Sequence, residues 1–236
     1  MTKLVKNKTL TVDAVVPCFN EAPRVGAVLR ALNESKHIKK IIFVDDGSKD
    51  GSSEVAKKFS KVRLIRNKVN QGQGNSIKIG LEYVTTEAVM LCDADLCGFD
   101  QRHVAKMVKA FYRNPRSMVV GMKEKNPQIY HWFQYNVGPL IPGERILLTT
   151  TLKEILSSPI STEYGHVIYM NYYFHLKRRP IVKVLLRGVD DVFKLNKEAH
   201  GIKPLVEEVM NMGEKYFQVY AKQMPKDIYN HIRSLI

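Results

Sequence analysis

The sequence predicts an α/β fold in which a mostly parallel β-sheet carries helices on both faces. Short apolar strands alternate with amphipathic helices through the first half of the chain, as in sheets built from βα units. Polar residues directly follow three of these strands, at the edge where open parallel sheets bind ligands. The 236 residues are 44% hydrophobic and 25% charged, which suits one soluble domain over 1–236, since no linker divides the chain.

The first half is the regular part of the predicted fold. Its first helix is expected to begin with Asn20 as the N-cap and Pro23 in the first turn. A second helix is predicted to carry Val55 and Phe59, and a third, opened by a glycine-rich turn, to carry residues from Ile77 to Val84 on one face. The predicted strands are short apolar runs at 12–16, 41–44, 62–65, 88–92 and 118–120.

The second half has a less regular pattern. An aromatic segment covers 130–135, and a helix is predicted from Tyr164 to His175. A strand is predicted from Ile181 to Leu186, and a final amphipathic helix is predicted to begin near Pro204.

Charge and cysteine content narrow the class of protein. A formal net charge of +14 indicates a polyanionic partner, namely nucleic acid, an anionic membrane surface or phosphorylated substrates. Cys18, Cys92 and Cys97 are odd in number and lack C-x-x-C spacing, which favours a reducing compartment over a disulfide framework or a zinc site. Neither a signal peptide nor an apolar membrane span is visible, so we expect a cytoplasmic protein, with peripheral contact at the inner membrane face as an option.

The tripeptide Asp93-Ala94-Asp95 is the most informative short motif. It ends an apolar run that is predicted to be a buried strand. Two carboxylates so close together repel each other unless a cation neutralises them. Oxygen ligands suit Mg²⁺ or Mn²⁺, and such ions usually bridge to phosphate groups. Two solvated acids in a loop would explain most isolated matches to this pattern, so the context has to decide.

Four motifs in order give that context, and together they resemble the family 2 glycosyltransferases with the nucleotide-diphospho-sugar-binding GT-A fold. The P-x-[YF]-N-E opening is at Pro17 to Glu21, and V-D-D-G-S-x-D-G is at Val44 to Gly51. The N-x-G-x-G turn is at Asn70 to Gly74, and D-x-D is at Asp93 to Asp95. The first half is most similar to dolichyl- and polyprenyl-phosphate sugar transferases, some of which have hydrophobic tails that are not seen here.

The resemblance implies a role for each half of the chain. Residues 1–121 would form the nucleotide-sugar-binding lobe, and 122–236 the acceptor-binding lobe. Asp46 would accept a hydrogen bond from the donor base, and Asp95, assisted by Asp93, would hold Mg²⁺ or Mn²⁺ against the leaving diphosphate. The remaining donor-binding candidates in the first half are Pro17, Phe19, Glu21, Val44, Gln71, Gly72 and Ala94.

Fainter motifs extend the resemblance into the second half. Lys123 stands where relatives have a phosphate-facing Arg, and Lys194 matches a diphosphate-binding Lys. Asp191 stands where relatives have a metal-binding His, and an aspartate can still bind a hard cation. Gly143 to Leu147 resembles an acceptor-side G-x-R-A-L motif.

This chain also departs from the family pattern at two positions. Gln73 replaces a Lys in the glycine-rich turn, and Val167 replaces the Glu of G-Y-G-x-E. The catalytic base is therefore unassigned, with Glu144 and Glu163 as candidates, and the stereochemical outcome stays open.

The leading hypothesis is a metal-dependent hexosyltransferase that uses a UDP- or GDP-sugar and an anionic or lipid-phosphate acceptor. A sugar-phosphate nucleotidyltransferase is an alternative, but it would need a glycine-rich basic loop after the first strand. A basic nucleic-acid-binding protein would explain the charge but would not need three acidic strand ends. The basic triplets 36–40 (Lys36, Lys39, Lys40) and 177–179 (Lys177, Arg178, Arg179) are expected to serve an anionic acceptor or lipid, the second from the acceptor side.

Overall fold

The computed structural model describes residues 10–123, 142–157 and 165–191, and within them it confirms the α/β fold. The described chain forms a seven-stranded sheet in the order β3-β2-β1-β4-β7-β6-β8 and a small two-stranded sheet of β5 and β9. The strands are β1 (Val12–Cys18), β2 (Ile38–Asp45), β3 (Val62–Arg66), β4 (Ala88–Leu91), β5 (Leu96–Cys97), β6 (Met118–Lys123), β7 (Arg145–Leu148), β8 (Ile181–Leu186) and β9 (Asp190–Asp191).

Six helices connect these strands in the described ranges, and they cover both faces of the large sheet. They are α1 (Ala22–Glu34), α2 (Ser52–Ala56), α3 (Gln73–Leu81), α4 (Gln101–Arg113), α5 (Thr149–Leu156) and α6 (Gly165–Leu176). Helices α1 and α4 pack in one hydrophobic core, and α3, α5 and α6 pack in a second core across the sheet. The strands of the middle of the sheet are buried along their whole length because both faces are covered.

Strand direction sets the position of the site. Strands β1, β2, β3 and β4 run parallel, β7 is antiparallel to both β4 and β6, and β6 is parallel to β8. The carboxyl ends of the parallel strands therefore meet at one edge of the sheet, together with the amino end of β7. We call this the carboxyl edge. The basic triplet 177–179 precedes β8 and therefore lies at the opposite edge of the sheet from the carboxyl edge.

The start of α1 differs from the prediction. Glu21, not Asn20, is the N-cap, and it makes no capping bond with its side chain. Asn20 has a left-handed backbone (φ 55°), and its amide oxygen accepts a hydrogen bond from the Lys49 backbone N–H at 3.0 Å. The physical reason is that Asn tolerates the left-handed conformation and here holds a neighbouring loop instead of a helix end.

Several other elements differ from the pattern-based prediction. Helices α2 and α3 end at Ala56 and Leu81, before Phe59 and Val84. Strand β7, helix α5 and the short β5–β9 pair were not predicted, because their apolar runs are short and their pairing partners lie far away in the chain. The aromatic segment 130–135, Glu163, Lys194 and the predicted C-terminal helix lie outside the described residues.

None of the helices in the described ranges is both long and apolar enough to span a lipid bilayer.

Candidate active site

The loops after β1 and β2 are held together as one wall at the carboxyl edge. The Ser48 hydroxyl accepts a hydrogen bond from the Asn20 backbone N–H at 2.9 Å, and the Ser52 hydroxyl accepts one from the Glu21 N–H at 2.9 Å. The Asp50 carboxylate accepts a third bond, from the Ala22 N–H at 2.8 Å. The motifs at 17–21 and 44–51 are therefore joined by hydrogen bonds into one wall.

Asp45 and Asp46 end β2 but have different surroundings. The Asp45 carboxylate is fully buried and accepts hydrogen bonds from the Ser48 backbone N–H at 2.8 Å and from the Ser53 hydroxyl. The Arg66 guanidinium also lies 3.5 Å from it. Asp45 thus organises the loop that follows β2.

Asp46 organises the facing loop, residues 67–72. Its carboxylate accepts hydrogen bonds from the Asn67 side chain at 2.7 Å and from the Gly72 backbone N–H at 2.8 Å. The Gln71 N–H lies within 3.0 and 3.1 Å of its two oxygens. This places Asp46 at the base of a crevice whose far wall is the glycine-rich turn.

A cavity of about 340 Å³ opens beside Asp46 between these two loops. Its basic lining residues are Lys49, Arg66 and Lys68, and Arg66 is held by a 2.8 Å hydrogen bond to the Ser48 carbonyl oxygen. Phe19 lies at the end of β1 and is 46% exposed, which is unusual for so large an apolar side chain in this fold. The cavity is therefore lined by positive charge, which suits a phosphate-bearing ligand.

The Asp93 carboxylate is enclosed by four neighbours. The Gln73 side-chain amide donates a hydrogen bond to its Oδ1 at 2.9 Å. Gly143 lies so close that a Cβ built there would be 2.4 Å from Asp93 Oδ2. Burial, followed by repulsion from Glu144, raises the pKa of Asp93 to about 8, although the Lys123 ammonium opposes the shift. A nearby cation would reverse that shift and favour the charged carboxylate.

Glu144 and Lys123 form a buried pair behind Asp93. Lys123 Nζ lies 3.3 Å from Glu144 Oε1, and the two side chains are 4% and 0% exposed. Both residues thus lie inside the protein next to Asp93, which gives Glu144 no open path to an acceptor and gives Lys123 a carboxylate partner.

Asp191 is brought to the same region by backbone pairing. Strand β9 runs antiparallel to β5, and the pairing sets Asp191 opposite Leu96, the residue that follows Asp95. Asp93, Asp95 and Asp191 thus belong to neighbouring backbone positions at the carboxyl edge. Within 10–123, 142–157 and 165–191, no group of three or more His, Cys, Asp or Glu side chains is arranged as a metal cluster. The donor set is nonetheless all oxygen and fits Mg²⁺ or Mn²⁺ better than zinc.

Arg145, in the predicted acceptor-side motif, is a structural residue. It is fully buried, its Nε donates to the Pro142 carbonyl at 2.9 Å, and its Nη1 donates to Asn171 Oδ1 at 2.8 Å. It therefore joins β7 to α6 and does not face the crevice.

The other predicted residues have clear places in the fold. Pro17, Val44 and Ala94 are at the ends of strands beside Asp46 and Asp93, with Val44 and Ala94 buried, and Glu21 pairs with Arg24 at 2.5 Å. The sequence pattern did not identify Asn67 or the cavity lysines Lys49 and Lys68, and it indicated Gly143 only as the start of the acceptor-side motif. Gln73 was noted only as a departure, and its spacing from Asp93 gives no sign of their contact.

Comparison with known proteins identifies the family. The family model described as "Glycosyl transferase family 2" matches residues 13–172. Poly-beta-1,6-N-acetyl-D-glucosamine synthase of Staphylococcus epidermidis is 29% identical over 133 residues, which are 53% of this chain and 31% of that protein. Human dolichyl-phosphate beta-glucosyltransferase is 32% identical over 102 residues, or 37% of this chain and 32% of that protein. The chain thus matches about a third of the length of these two relatives.

The solved structures of similar fold include glucosyl-3-phosphoglycerate synthase of Mycobacterium tuberculosis in complex with Mn²⁺, uridine diphosphate and phosphoglyceric acid. It superposes with a TM-score of 0.71 at 16% identity and covers 95% of this chain and 86% of its own. At this level of identity the likeness shows the fold, which is the GT-A fold predicted from the sequence.

Proposed function

This chain belongs to glycosyl transferase family 2, and we propose that it transfers a sugar from a nucleotide-diphospho-sugar to a phosphate-bearing acceptor in a metal-dependent reaction. The observation that carries the proposal is that acidic residues and a basic cavity lie together at the carboxyl edge. There Asp46 and Asp93 follow β2 and β4, and a basic cavity opens beside Asp46. Such an edge is where open α/β sheets bind nucleotides.

The donor would bind with its base over Asp46 and its phosphates toward Asp93 and Asp95. Asp46 would accept a ring N–H of the base, which uracil and guanine both offer, while Pro17 and Phe19 flank the base and ribose. Solved relatives of this fold hold uridine diphosphate and uridine-diphosphate-glucose, which supports a UDP-sugar as the first donor to test. A GDP-sugar is the second donor to test.

The divalent cation would be held by Asp95 and Asp93, with Asp191 as the third carboxylate. When bound, Mg²⁺ or Mn²⁺ would supply Lewis-acid stabilisation of the negative charge on the leaving diphosphate. Solved structures of similar fold hold Mn²⁺ or Mg²⁺ together with uridine diphosphate, which supports this choice of ions. Lys194 would add a positive charge on the diphosphate.

The acceptor would carry a phosphate or carboxylate group. The net charge of +14 favours an anionic substrate, and the names of similar proteins include dolichyl phosphate and phosphoglyceric acid. Arg187 follows β8 at the carboxyl edge and is an exposed cation suited to such a group.

A donor-hydrolysis and transfer screen tests the proposal. UDP- and GDP-sugars are incubated with Mg²⁺ or Mn²⁺, with and without phosphorylated acceptors, and release of the nucleoside diphosphate is measured. Replacing Asp95 with Ala should lower turnover by about a hundredfold or more, the scale of losing one preorganised electrostatic group.

The matched control is Glu54→Ala, because Glu54 is an exposed carboxylate whose ion-pair partner is the equally exposed Lys57. That variant should keep wild-type turnover. Full activity of Asp95→Ala, or activity that survives exhaustive chelation, would refute the metal-dependent mechanism. No turnover of any nucleotide-sugar would refute the transferase itself.

A further inference from the structure

We infer that Gln73 is a positioning residue, whose neutral side-chain amide orients the Asp93 carboxylate for a divalent cation without neutralising it. The inference rests on the proposed function, because it concerns the cation that would serve the leaving diphosphate.

The position of Gln73 is fixed by the start of α3. Gly72 is the N-cap residue of this helix and has a backbone (φ 87°) that only glycine adopts readily, so the turn delivers Gln73 to the carboxyl edge as the first helical residue. From there, Gln73 Nε2 reaches Asp93 Oδ1 at 2.9 Å, across 20 positions of sequence. This is a normal, well-formed hydrogen bond from a donor whose own helix anchors it.

The other side of the Asp93 carboxylate is set by Gly143. A Cβ at that position would lie 2.4 and 2.5 Å from the two carboxylate oxygens, which no real contact allows. Gln73 and Gly143 thus enclose the carboxylate from two directions and leave it little freedom to rotate. An oriented carboxylate loses less entropy when it binds a cation.

The charges around Asp93 explain why the donor is an amide. Asp93, Asp95 and Glu144 bring three carboxylates to the region, whereas Lys123 brings one ammonium, which lies 3.3 Å from Glu144 Oε1. An ammonium in place of the Gln73 amide would add a second positive charge in contact with Asp93 and would compete with the metal for it. The amide donates one hydrogen bond to the Asp93 carboxylate and leaves the negative charge of that carboxylate available to the cation.

The test measures Mn²⁺ affinity, because a contact that only anchors α3 would not change it. Mn²⁺ binding to the full chain is followed by electron paramagnetic resonance, with Mn²⁺ alone and with Mn²⁺ plus UDP. Thermal melting and metal-free UDP affinity are measured in parallel. Gln73→Met removes the donor at similar length, and Gln73→Lys keeps a donor but adds charge.

Gln101 supplies the matched controls. It is the exposed first residue of α4, as Gln73 is the first residue of α3, and it lies outside the proposed site. Gln101→Met and Gln101→Lys should bind Mn²⁺ as the wild type does. Gln73→Met should bind it about tenfold more weakly, as is typical when a residue that orients a metal ligand is lost. Gln73→Lys should bind it more weakly still, and metal-free UDP affinity should stay unchanged in Gln73→Met.

The outcomes separate this inference from the proposed function. If Gln73→Met or Gln73→Lys binds Mn²⁺ as tightly as the wild type, the inference is wrong whether or not the enzyme transfers sugar. If the wild type binds no Mn²⁺, both the inference and the metal part of the proposed function fail. If the Mn²⁺ affinities follow the expected order but no sugar is transferred, the inference stands and the proposed function fails.

Discussion

Neighbouring residues of identical chemistry have different surroundings at the end of β2. Asp45 points into the wall formed with Ser48 and Ser53, whereas Asp46 points across the crevice to the loop 67–72. The alternation of side chains along a strand accounts for this, since successive residues face opposite sides. Asp45 thus organises the loop after β2, whereas Asp46 holds the loop 67–72 across from it.

Asp46 should contribute directly to nucleotide affinity. Replacing Asp46 with Ala is expected to weaken binding of UDP or GDP by about 1–3 kcal/mol, because a base N–H would lose its buried acceptor. Isothermal titration calorimetry without metal measures the difference. Asn67→Ala is the control for loosening of the loop, since it removes one bond to Asp46 but keeps the carboxylate. An Asp46→Ala affinity equal to wild type, or to that of Asn67→Ala, would argue against a contact with the base.

At the scale of elements, helices α1 and α4 begin in different ways. The first backbone N–H groups of α1 are bonded by Ser52 and Asp50 of a neighbouring loop, and its own N-cap side chain makes no capping bond. Helix α4 instead has a local capping box, in which Asp100 accepts from the Arg102 and His103 N–H groups. The start of α1 therefore depends on the fold around it, while the start of α4 is encoded locally.

Two helix glycines should respond to the same substitution with opposite sign. Gly26 lies inside α1, and a Cβ added there would be 3.4 Å from Val55 Cγ1, an ordinary contact, so Gly26→Ala should stabilise the fold by about 0.5–1 kcal/mol. Gly80 lies inside α3 against β1, and the same Cβ would be 2.6 Å from Val15 Cγ1.

Overpacking of that kind typically costs about 1–3 kcal/mol, so Gly80→Ala should destabilise the protein. Urea unfolding of both variants beside the wild type measures the two free energies. A stabilised Gly80→Ala variant would show that α3 can move away from the sheet at no cost.

The capping box of α4 gives a pH-dependent contribution to stability. The hydrogen bond from the Arg102 side chain, helped by backbone N–H groups, lowers the pKa of Asp100 below its ordinary value. Because the folded pKa is depressed, this contribution is fully present above the unfolded pKa of about 4 and is lost as the pH falls through the folded pKa. Asp100→Ala should thus lower the free energy of unfolding by about 1 kcal/mol at pH 7, and by less as the pH falls below about 4.

Urea titrations of wild type and Asp100→Ala between pH 7 and pH 3 measure this difference. Glu54→Ala on α2 serves as the control, since Glu54 is an exposed carboxylate whose ion pair with Lys57 lies at the protein surface. If the difference in free energy of unfolding between wild type and Asp100→Ala stays constant across this pH range, the charged carboxylate does not have this role.

At the scale of the whole molecule, the basic residues lie on more than one side. The cavity beside Asp46 brings Lys49, Arg66 and Lys68 to the carboxyl edge, whereas the triplet 177–179 lies at the opposite edge. Next to that triplet, Leu176 is 49% exposed, one of the few large apolar side chains in the described ranges that faces solvent. An exposed apolar residue beside cations suits the surface of an anionic bilayer.

Vesicle binding should therefore depend on the triplet 177–179. Each basic group near an anionic bilayer contributes about 1 kcal/mol, so binding should rise with anionic lipid content and fall with salt. Changing Lys177, Arg178 and Arg179 together to Gln should weaken sedimentation with phosphatidylserine vesicles and leave UDP affinity intact.

The same triple change at Lys36, Lys39 and Lys40 is the comparison at equal loss of net charge, since Lys36 precedes β2 and Lys39 and Lys40 lie within it, near the other end of the sheet order. It should weaken vesicle binding less. Equal losses would mean that net charge alone drives binding. Binding to a DNA or RNA oligomer without any dependence on lipid charge would favour the nucleic-acid alternative.

The sequence by itself determined the fold class and the first half of the site. Apolar periodicity is a local property, so it predicted β1 to β4 and the helices between them, and the acidic residues that follow β2 and β4 were found at the predicted edge. The spacing of the four motifs predicted the family, and the family model confirmed it. These features depend on residues that are close together in the chain.

Only the tertiary structure decided how the second half completes the site. The antiparallel insertion of β7 between β4 and β6 brings Glu144 and Gly143 against Asp93, and the pairing of β9 with β5 brings Asp191 beside Asp95. The contact between Gln73 and Asp93 likewise depends on where α3 packs. These contacts join residues that are 20 to about 100 positions apart, and long-range packing leaves no periodic signal in the sequence from which they could be predicted.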